Sequence, residues 1–140
     1  MNILVSACLL GENCKYNGGN NRNERVLRYV EGHEIIPVCP EMLGGLPCPR
    51  KPVEWVGDRV LTRDGDDCTE NFRLGVKRAM DIIGDKHIDL AILQSRSPTC
   101  GVRQIYDGTF SRHKIDGQGL LARALAARGI RLMDAEDVPE

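Results

Sequence analysis

The amino-acid sequence predicts an α/β protein: one domain over residues 1–140, with a three-layer Rossmann-like fold, a mostly parallel sheet and a small hairpin. Short apolar segments rich in β-branched residues alternate along the chain with stretches of helical periodicity. No repeat, second core or low-complexity linker divides the sequence. A length of 140 residues is typical of one domain and is sufficient to bury a hydrophobic core.

Four segments are predicted as buried strands because each is short, apolar and rich in Ile, Val or Leu. They are Asn2–Ser6, Glu34–Val38, 88–93 and 130–133. Helical stretches lie between them, and this alternation favours a sheet whose strands run mostly parallel.

Three segments are predicted as helices: Glu24–Val30, 67–83 and 117–128. The middle one has the clearest pattern, because one face collects Phe72, Val76, Ala79, Met80 and Ile83. Asp67 and Glu70 are predicted to cap its start and Gly84 to end it. Gly129 is predicted to end the last helix.

Two further segments are predicted to be extended. Val53–Val56 and Arg59–Thr62 are separated by Gly57 and Asp58, a pattern typical of a hairpin. Residues 104–110 form the second segment, with a turn at Asp107 and Gly108.

Composition and charge exclude several classes of function. Hydrophobic residues make up 41% of the chain and charged residues 28%, as in ordered globular proteins. The formal charge is -1, so no bulk positive field attracts nucleic acid or an anionic membrane, and a small-molecule partner is expected. The apolar start lacks the basic region of an export signal, and no run is long enough to span a membrane, so a cytoplasmic location is expected.

Six cysteines suggest metal binding or thiol chemistry, although no CxxC or zinc-finger spacing is present. Cys8, Cys39 and Cys100 each follow a predicted strand. Because ligands of parallel sheets collect beyond the carboxyl ends of the strands, these three are expected at one edge. The others, for which no role is predicted, are Cys14, Cys48 and Cys68.

Three thiolates can hold zinc together with a fourth ligand, or a cubane iron–sulfur cluster with one iron left without a protein ligand. Glu41 lies two residues after Cys39, and Ser97 lies three residues before Cys100. A carboxylate and a hydroxyl beside a metal can transfer protons and position water. Alternatively, Glu41 caps a helix or turn, and Ser97 bonds the backbone of its own loop.

Four motifs, "ILVSACLLGENCKYNGG", "CPEMLGGLPCPR", "LAILQSRSPTCG" and "IYDGTF", resemble the thiouracil desulfidase family, formerly a domain of unknown function. The resemblance covers nearly the whole chain. It implies a bacterial, cytoplasmic α/β enzyme that removes sulfur from thiolated uracil without net redox chemistry. It further implies a [4Fe-4S] cluster held by Cys8, Cys39 and Cys100, with one open iron, and catalytic roles for Glu41 and Ser97.

Two other functions are compatible with the cysteines: a non-catalytic zinc- or cluster-binding module, and a sulfurtransferase that forms a persulfide. Arg50 and Arg96 are interpreted as surface or loop-bracing residues. The histidines, interpreted as surface groups, are His33, His87 and His113. The sequence leaves open the oligomeric state and the choice among thiolated uracil bases and nucleotides.

Overall fold

The computed structural model describes residues 1–139, which contain eight strands and four α-helices. The strands are β1 (Asn2–Ser6), β2 (Glu34–Val38), β3 (Val53–Val56), β4 (Arg59–Thr62), β5 (Leu90–Leu93), β6 (Gln104–Tyr106), β7 (Lys114–Asp116) and β8 (Leu132–Asp134). The helices are α1 (Glu24–Val30), α2 (Pro40–Leu43), α3 (Thr69–Ile83) and α4 (Leu120–Ala127), and short 3-10 turns cover Ala7–Leu10 and Ala135–Asp137.

The central sheet has the strand order β2-β1-β5-β8, and all three pairings are parallel. The predicted α/β class with a parallel sheet is therefore confirmed. Strand β2 lies on one side of β1, and the later strands β5 and β8 lie on its other side. The direction in which strands are added to the sheet therefore reverses between β1 and β5. In open α/β sheets this point of reversal, at the carboxyl ends of the strands, is where ligands bind.

Apolar side chains cover both faces of the sheet and give the predicted three layers. Leu4 and Leu93 pack against α3 and α4 in one core cluster. Ile3, Val5 and Ile92 belong to the opposite cluster, together with α1. Strands that are buried on both faces read as continuous apolar runs, which is why these segments are recognisable in the sequence.

Several predicted boundaries shift. Helix α3 begins at Thr69 and not at Asp67, because Asp67 pairs with Leu61 of β4 in an isolated bridge. Its carboxylate accepts a hydrogen bond from the Thr69 amide at 2.9 Å. Helix α4 begins at Leu120 and not at residue 117. Gly119 is extended there and packs on the backbone of Thr99, where a Cβ atom would lie 2.4 Å from the carbonyl oxygen.

The final strands are also shorter or displaced. Strand β5 starts at Leu90, two residues after the predicted start, and β8 covers 132–134 in place of 130–133. The Ile130 amide instead bonds the Leu125 carbonyl at 3.1 Å, which ties this residue to the last turn of α4 and keeps it out of β8.

The predicted hairpin is present as β3 and β4, which pair antiparallel from Val53 with Thr62 to Val56 with Arg59. The segment predicted over 104–110 is extended only in β6, which pairs with β7. Strand β7 is missing from the sequence prediction because its three residues are all exposed and carry no apolar pattern.

Helix α2 is likewise missing from the sequence prediction, since four residues cannot show a helical period. It lies directly against α3. A Cβ atom on Gly44 would be 2.0 Å from the Asn71 carbonyl oxygen, so these helices meet backbone to backbone. Within residues 1–139, no helix has the length and apolar character that crossing a bilayer requires.

Candidate active site

Three cysteines lie at the carboxyl edge of three adjacent strands. Cys8 lies in the 3-10 turn after β1, Cys39 stands between β2 and α2, and Cys100 ends the loop after β5. The ends of β1 and β2 are level, because Ser6 pairs with Val38. The Ser6 hydroxyl accepts a hydrogen bond at 3.0 Å from the amide of Gln94, the first residue after β5. The expected placement of the trio at one edge is therefore what the structure has.

The environments of these thiols explain their protonation. Burial is the main cause that raises the pKa of Cys8, and the Asn21 amide, which donates to its sulfur at 3.4 Å, opposes this rise. Burial raises the pKa of Cys100 to about 12, and charge on Cys8 or Glu41 adds to the rise. Cys8 and Cys100 thus disfavour the thiolate form unless a cation binds beside them.

Cys14 lies beside Cys39, although the sequence predicted no role for it. The Cys39 thiol donates to the Cys14 carbonyl oxygen at 4.0 Å. The interaction between the two thiols is the main cause that lowers the pKa of Cys39 and raises that of Cys14. Cys14 is also buried. The spacing of the cysteines in the sequence does not predict this contact, because it forms only when the loop after β1 folds back toward the end of β2.

The other two cysteines have different surroundings, and burial, with smaller contributions from the charges on Asp67, Asp66 and Glu41, raises the pKa of the Cys68 thiol. The Cys48 thiol donates to backbone carbonyls at 3.1 and 3.3 Å, and Cys68 precedes the first turn of α3. All six cysteines are free thiols.

Glu41 occupies the first turn of α2, where it makes no capping bond, and only 15% of its side chain is exposed. Its two oxygens have different partners. Arg50 Nε donates to Oε1 at 3.2 Å, and the Thr99 hydroxyl donates to Oε2 at 3.0 Å. The interpretation of Glu41 as a cap is therefore wrong, since the carboxylate points to two other loops.

Ser97 lies on the far side of Thr99 from Glu41. Its oxygen is 3.0 Å from Thr99 Oγ1 and accepts hydrogen bonds from the amides of Thr99 at 3.2 Å and Cys100 at 3.1 Å. Ser97 does bond its own loop, as one interpretation expected. It is also joined to Glu41 through one hydroxyl, so the structure brings the two candidate catalytic residues together.

The loop that carries Ser97 is held from three sides. Trp55 Nε1 donates to the Pro98 carbonyl at 2.8 Å. The Gly101 amide bonds the Ser97 carbonyl at 2.8 Å, and the Gly119 amide bonds the Gly101 carbonyl at 2.8 Å. These hydrogen bonds fix the Ser97 loop to β3, to its own backbone and to the start of α4.

Arg50 and Arg96 take different roles. Arg96 has a φ of 59° and forms a two-pronged ion pair with Glu136 at 2.7 and 3.1 Å, as a loop-bracing residue would. Arg50 also braces its loop, through Nη2 and the Cys14 carbonyl at 2.9 Å, but its side chain is only 8% exposed and it contacts Glu41. The surface interpretation of Arg50 is wrong.

Two of the histidines mark the opposite edge. His33 precedes β2 and bonds the terminal amine, and His87 precedes β5 and bonds Asp89. His87 and His113 are exposed. These placements agree with their interpretation as surface groups.

An open polar cleft of about 380 Å³ lies beside Asn21, which contacts Cys8. It lies between the segment 20–23, the loop 94–96 and the turn after β8. Asn21 both lines this cleft and donates to Cys8, so a small molecule in the cleft would lie next to the first thiol of the trio.

Within residues 1–139, no three His, Cys, Asp or Glu side chains are gathered around one point that could hold a single metal ion. The thiols at the sheet edge lie on separate loops and on both core layers, with Cys100 in the α3 and α4 cluster and Cys8 against the α1 cluster.

Comparison with known proteins gives three matches. The family model for 2-thiouracil desulfurase matches residues 3–137. The uncharacterized protein YbbK of Bacillus subtilis (strain 168) is 34% identical over 146 residues, which cover 97% of each chain. A solved structure of the [4Fe-4S]-dependent thiouracil desulfidase TudS is 35% identical with a TM-score of 0.89, over 99% of this chain and 93% of that one.

Proposed function

The chain belongs to the 2-thiouracil desulfurase family, and we propose that it hydrolyses the carbon–sulfur bond of a thiolated uracil, converting thiouracil and water to uracil and sulfide. Neither carbon nor sulfur changes its oxidation state in this exchange. The observation that carries the proposal is the hydrogen-bonded line from Glu41 through Thr99 to Ser97, whose oxygen accepts from the backbone amide of Cys100.

The cysteines support the proposed cofactor, a [4Fe-4S] cluster with Cys8, Cys39 and Cys100 as its ligands. Each thiol ligand of a cubane cluster binds a different iron, so the ligands stand apart, as thiols on three separate loops do. A zinc ion, the alternative, needs its ligands around one point. When bound through three thiolates, the cluster supplies one iron without a protein ligand, a Lewis acid for the sulfur of the substrate.

Glu41 and Ser97 are proposed as the catalytic residues. The Glu41 carboxylate is the base that receives the proton of the attacking water, because it is the acceptor at the end of the hydroxyl line. Ser97 is half-buried and lies at the open end of that line, where it orients the water or the ring. The polar cleft beside Asn21 is proposed to admit a small thiolated pyrimidine and not nucleic acid.

The six free thiols support a cytoplasmic location, because reducing compartments keep cysteines unpaired.

Anaerobic purification and assay test this function. We expect a brown protein with about four iron and four sulfide per chain, and release of sulfide from 2-thiouracil or 4-thiouracil with formation of the corresponding carbonyl. A loaded protein that releases no sulfide from either base or its nucleotide contradicts the proposal. Zinc in place of iron would favour the non-catalytic module, and activity that needs no iron but leaves a persulfide on a cysteine would favour the sulfurtransferase.

A further inference from the structure

We infer that Thr99 is a positioning residue that relays a proton between Ser97 and Glu41 during the reaction proposed above, on which this inference rests. Its hydroxyl lies 3.0 Å from Ser97 Oγ and 3.0 Å from Glu41 Oε2. Within residues 1–139, no other hydroxyl is hydrogen-bonded to both of these residues. Sequence reasoning did not single out Thr99, although it immediately precedes Cys100.

The direction of the hydrogen bonds follows from counting protons. An ionised carboxylate only accepts, so Thr99 must donate its single hydroxyl proton to Glu41. The bond between the two hydroxyls then needs Ser97 as its donor. The Ser97 proton therefore already points along the line toward Glu41.

Two backbone amides favour the loss of that proton. The amides of Thr99 and Cys100 donate to Ser97 Oγ at 3.2 and 3.1 Å. Amide donors aimed at an oxygen stabilise the negative charge that develops on it, as an oxyanion hole does. The Ser97 hydroxyl is thus positioned to donate its proton to Thr99.

Burial separates the role of Thr99 from that of Ser97. Thr99 is 1% exposed, so its hydroxyl cannot meet substrate or bulk water, whereas Ser97 is half-buried. Arg50 binds Oε1 of Glu41 and leaves Oε2 facing Thr99. Substrate and water can therefore reach the hydrogen-bonded line at Ser97, while its Glu41 end is buried.

The relay step conserves protons and bonds. The attacking water gives one proton to Ser97 Oγ as its oxygen bonds the thiocarbonyl carbon, Ser97 gives its own proton to Thr99, and Thr99 gives its own to Oε2 of Glu41. Both hydroxyls end as they began, and one proton has moved from water to the carboxylate. As the carbon–sulfur bond breaks, Glu41 returns that proton to the departing sulfur, which leaves as hydrosulfide, and the second proton of the water leaves the new carbonyl oxygen to solvent.

A purely structural role for the hydroxyl is the alternative. The loop is already held by Trp55 and by the backbone bonds of Gly101 and Gly119, and none of these bonds uses Thr99 Oγ1. Removal of the hydroxyl alone should therefore leave the loop in place.

The test compares Thr99→Val, which keeps the shape and removes the hydroxyl, with Thr99→Ser, which keeps the hydroxyl. Thr69→Val is the matched control, because Thr69 is also fully buried and its hydroxyl bonds Asp67 and the Val60 amide, both outside the site. For each anaerobically loaded protein we would measure kcat per bound cluster, KM for thiouracil, iron content and melting temperature. We expect Thr99→Val to lower kcat about 100-fold, within the range of general-base effects, with KM and iron content unchanged.

Further measurements distinguish proton relay by the Thr99 hydroxyl from a purely structural role. Thr99→Ser and Thr69→Val should keep kcat within about threefold of the unsubstituted protein, a range well below the general-base effect. In a double-substitution cycle, Thr99→Val should add little to Ser97→Ala, because both remove the same line. Normalisation per cluster keeps the comparison valid if a variant loads poorly.

Three results would overturn the inference. The first is near-normal kcat in Thr99→Val, and the second is a Thr99→Ser protein as slow as Thr99→Val. The third is full additivity of Thr99→Val with Ser97→Ala. If these occur while the unsubstituted protein releases sulfide, the proposed function stands and the relay falls. A loaded, unsubstituted protein without activity overturns both.

Discussion

Gly75 of α3 packs on the carbonyl oxygen of Pro40 in α2, so closely that a Cβ atom at Gly75 would lie 1.8 Å from that oxygen. Pro40 immediately precedes Glu41. The contact between the two helices therefore fixes the position of the Glu41 backbone, and with it the reach of the Glu41 carboxylate. A glycine that looks unfavourable in a helix is required here by close backbone approach.

Gly75→Ala is expected to destabilise the protein and to slow the reaction. Alanine gains up to about 1 kcal/mol of helix propensity over glycine. The steric clash outweighs this gain, so the free energy of unfolding should fall. Neither the Pro40 carbonyl nor the Gly44 amide can move unless α2 moves, and overpacking of this kind costs about 1–3 kcal/mol or more. We expect a lower melting temperature and a lower kcat per cluster. Lys77→Ala, at an exposed position of α3, is the control and should change neither the melting temperature nor kcat. If both stay unchanged in Gly75→Ala as well, the contact between α2 and α3 does not determine the position of the Glu41 carboxylate.

Glu41→Gln is expected to abolish most of the activity while the cluster stays. The amide keeps the size of the side chain and an oxygen for Thr99, but it cannot accept a proton from water. We expect kcat to fall by roughly 10²–10⁴, as for loss of a general base, with iron and sulfide content unchanged. The assay is anaerobic sulfide release, with exposed Glu70→Gln as control. Normal turnover in Glu41→Gln would remove Glu41 from the mechanism.

Cys39→Ser is expected to lose the cluster itself. A serine hydroxyl stays protonated where a thiolate ligand is needed, and the two other thiols would remain without the third. Iron and sulfide analysis, together with the visible absorption of the anaerobically prepared protein, checks this. Cys68→Ser is the matched control, because Cys68 precedes α3 and makes no bond to the trio. Retention of full iron content in Cys39→Ser, or its loss in Cys68→Ser, would contradict the assignment of ligands.

Arg50→Met is expected to lower stability through Glu41. The pair is largely buried, with 8% of the Arg50 side chain and 15% of the Glu41 side chain exposed, so loss of the guanidinium leaves a carboxylate without its charged partner. Breaking such a pair costs about 3 kcal/mol, and the melting temperature should fall by roughly 10 °C.

The control for Arg50 is Arg22→Met. Arg22 pairs with Glu24, but their side chains are 58% and 63% exposed, so solvent screens the interaction. Its loss should change stability by less than about 1 kcal/mol. Equal melting temperatures for the two variants would show that the Arg50 contact contributes no more than a surface pair.

Much of the fold is determined by local sequence. The strands Asn2–Ser6 and Glu34–Val38 and the helix Glu24–Val30 have the predicted bounds, because apolar periodicity and its interruptions are properties of neighbouring residues. Short or exposed elements, such as α2 and β7, carry no such period. Their bounds depend on what packs against them.

The candidate site divides in the same way. The rule that ligands gather beyond the carboxyl ends of parallel strands is enough to select Cys8, Cys39 and Cys100 from six cysteines, and their roles as ligands stay a prediction. The neighbours Cys14, Arg50 and Thr99 are not accessible to that rule, because each meets the site through a loop whose path is set elsewhere.

The sequence by itself determines the order of the four sheet strands, the β3–β4 hairpin and the three longer helices, and it selects the three thiols that follow β1, β2 and β5. Only the tertiary structure decides that Thr99 bonds Glu41, 58 residues away, and that Arg50 turns inward to the same carboxylate. The physical reason is that such contacts depend on strand register and on the backbone approach of α2 to α3. Neither quantity is encoded in the residues that make the contact.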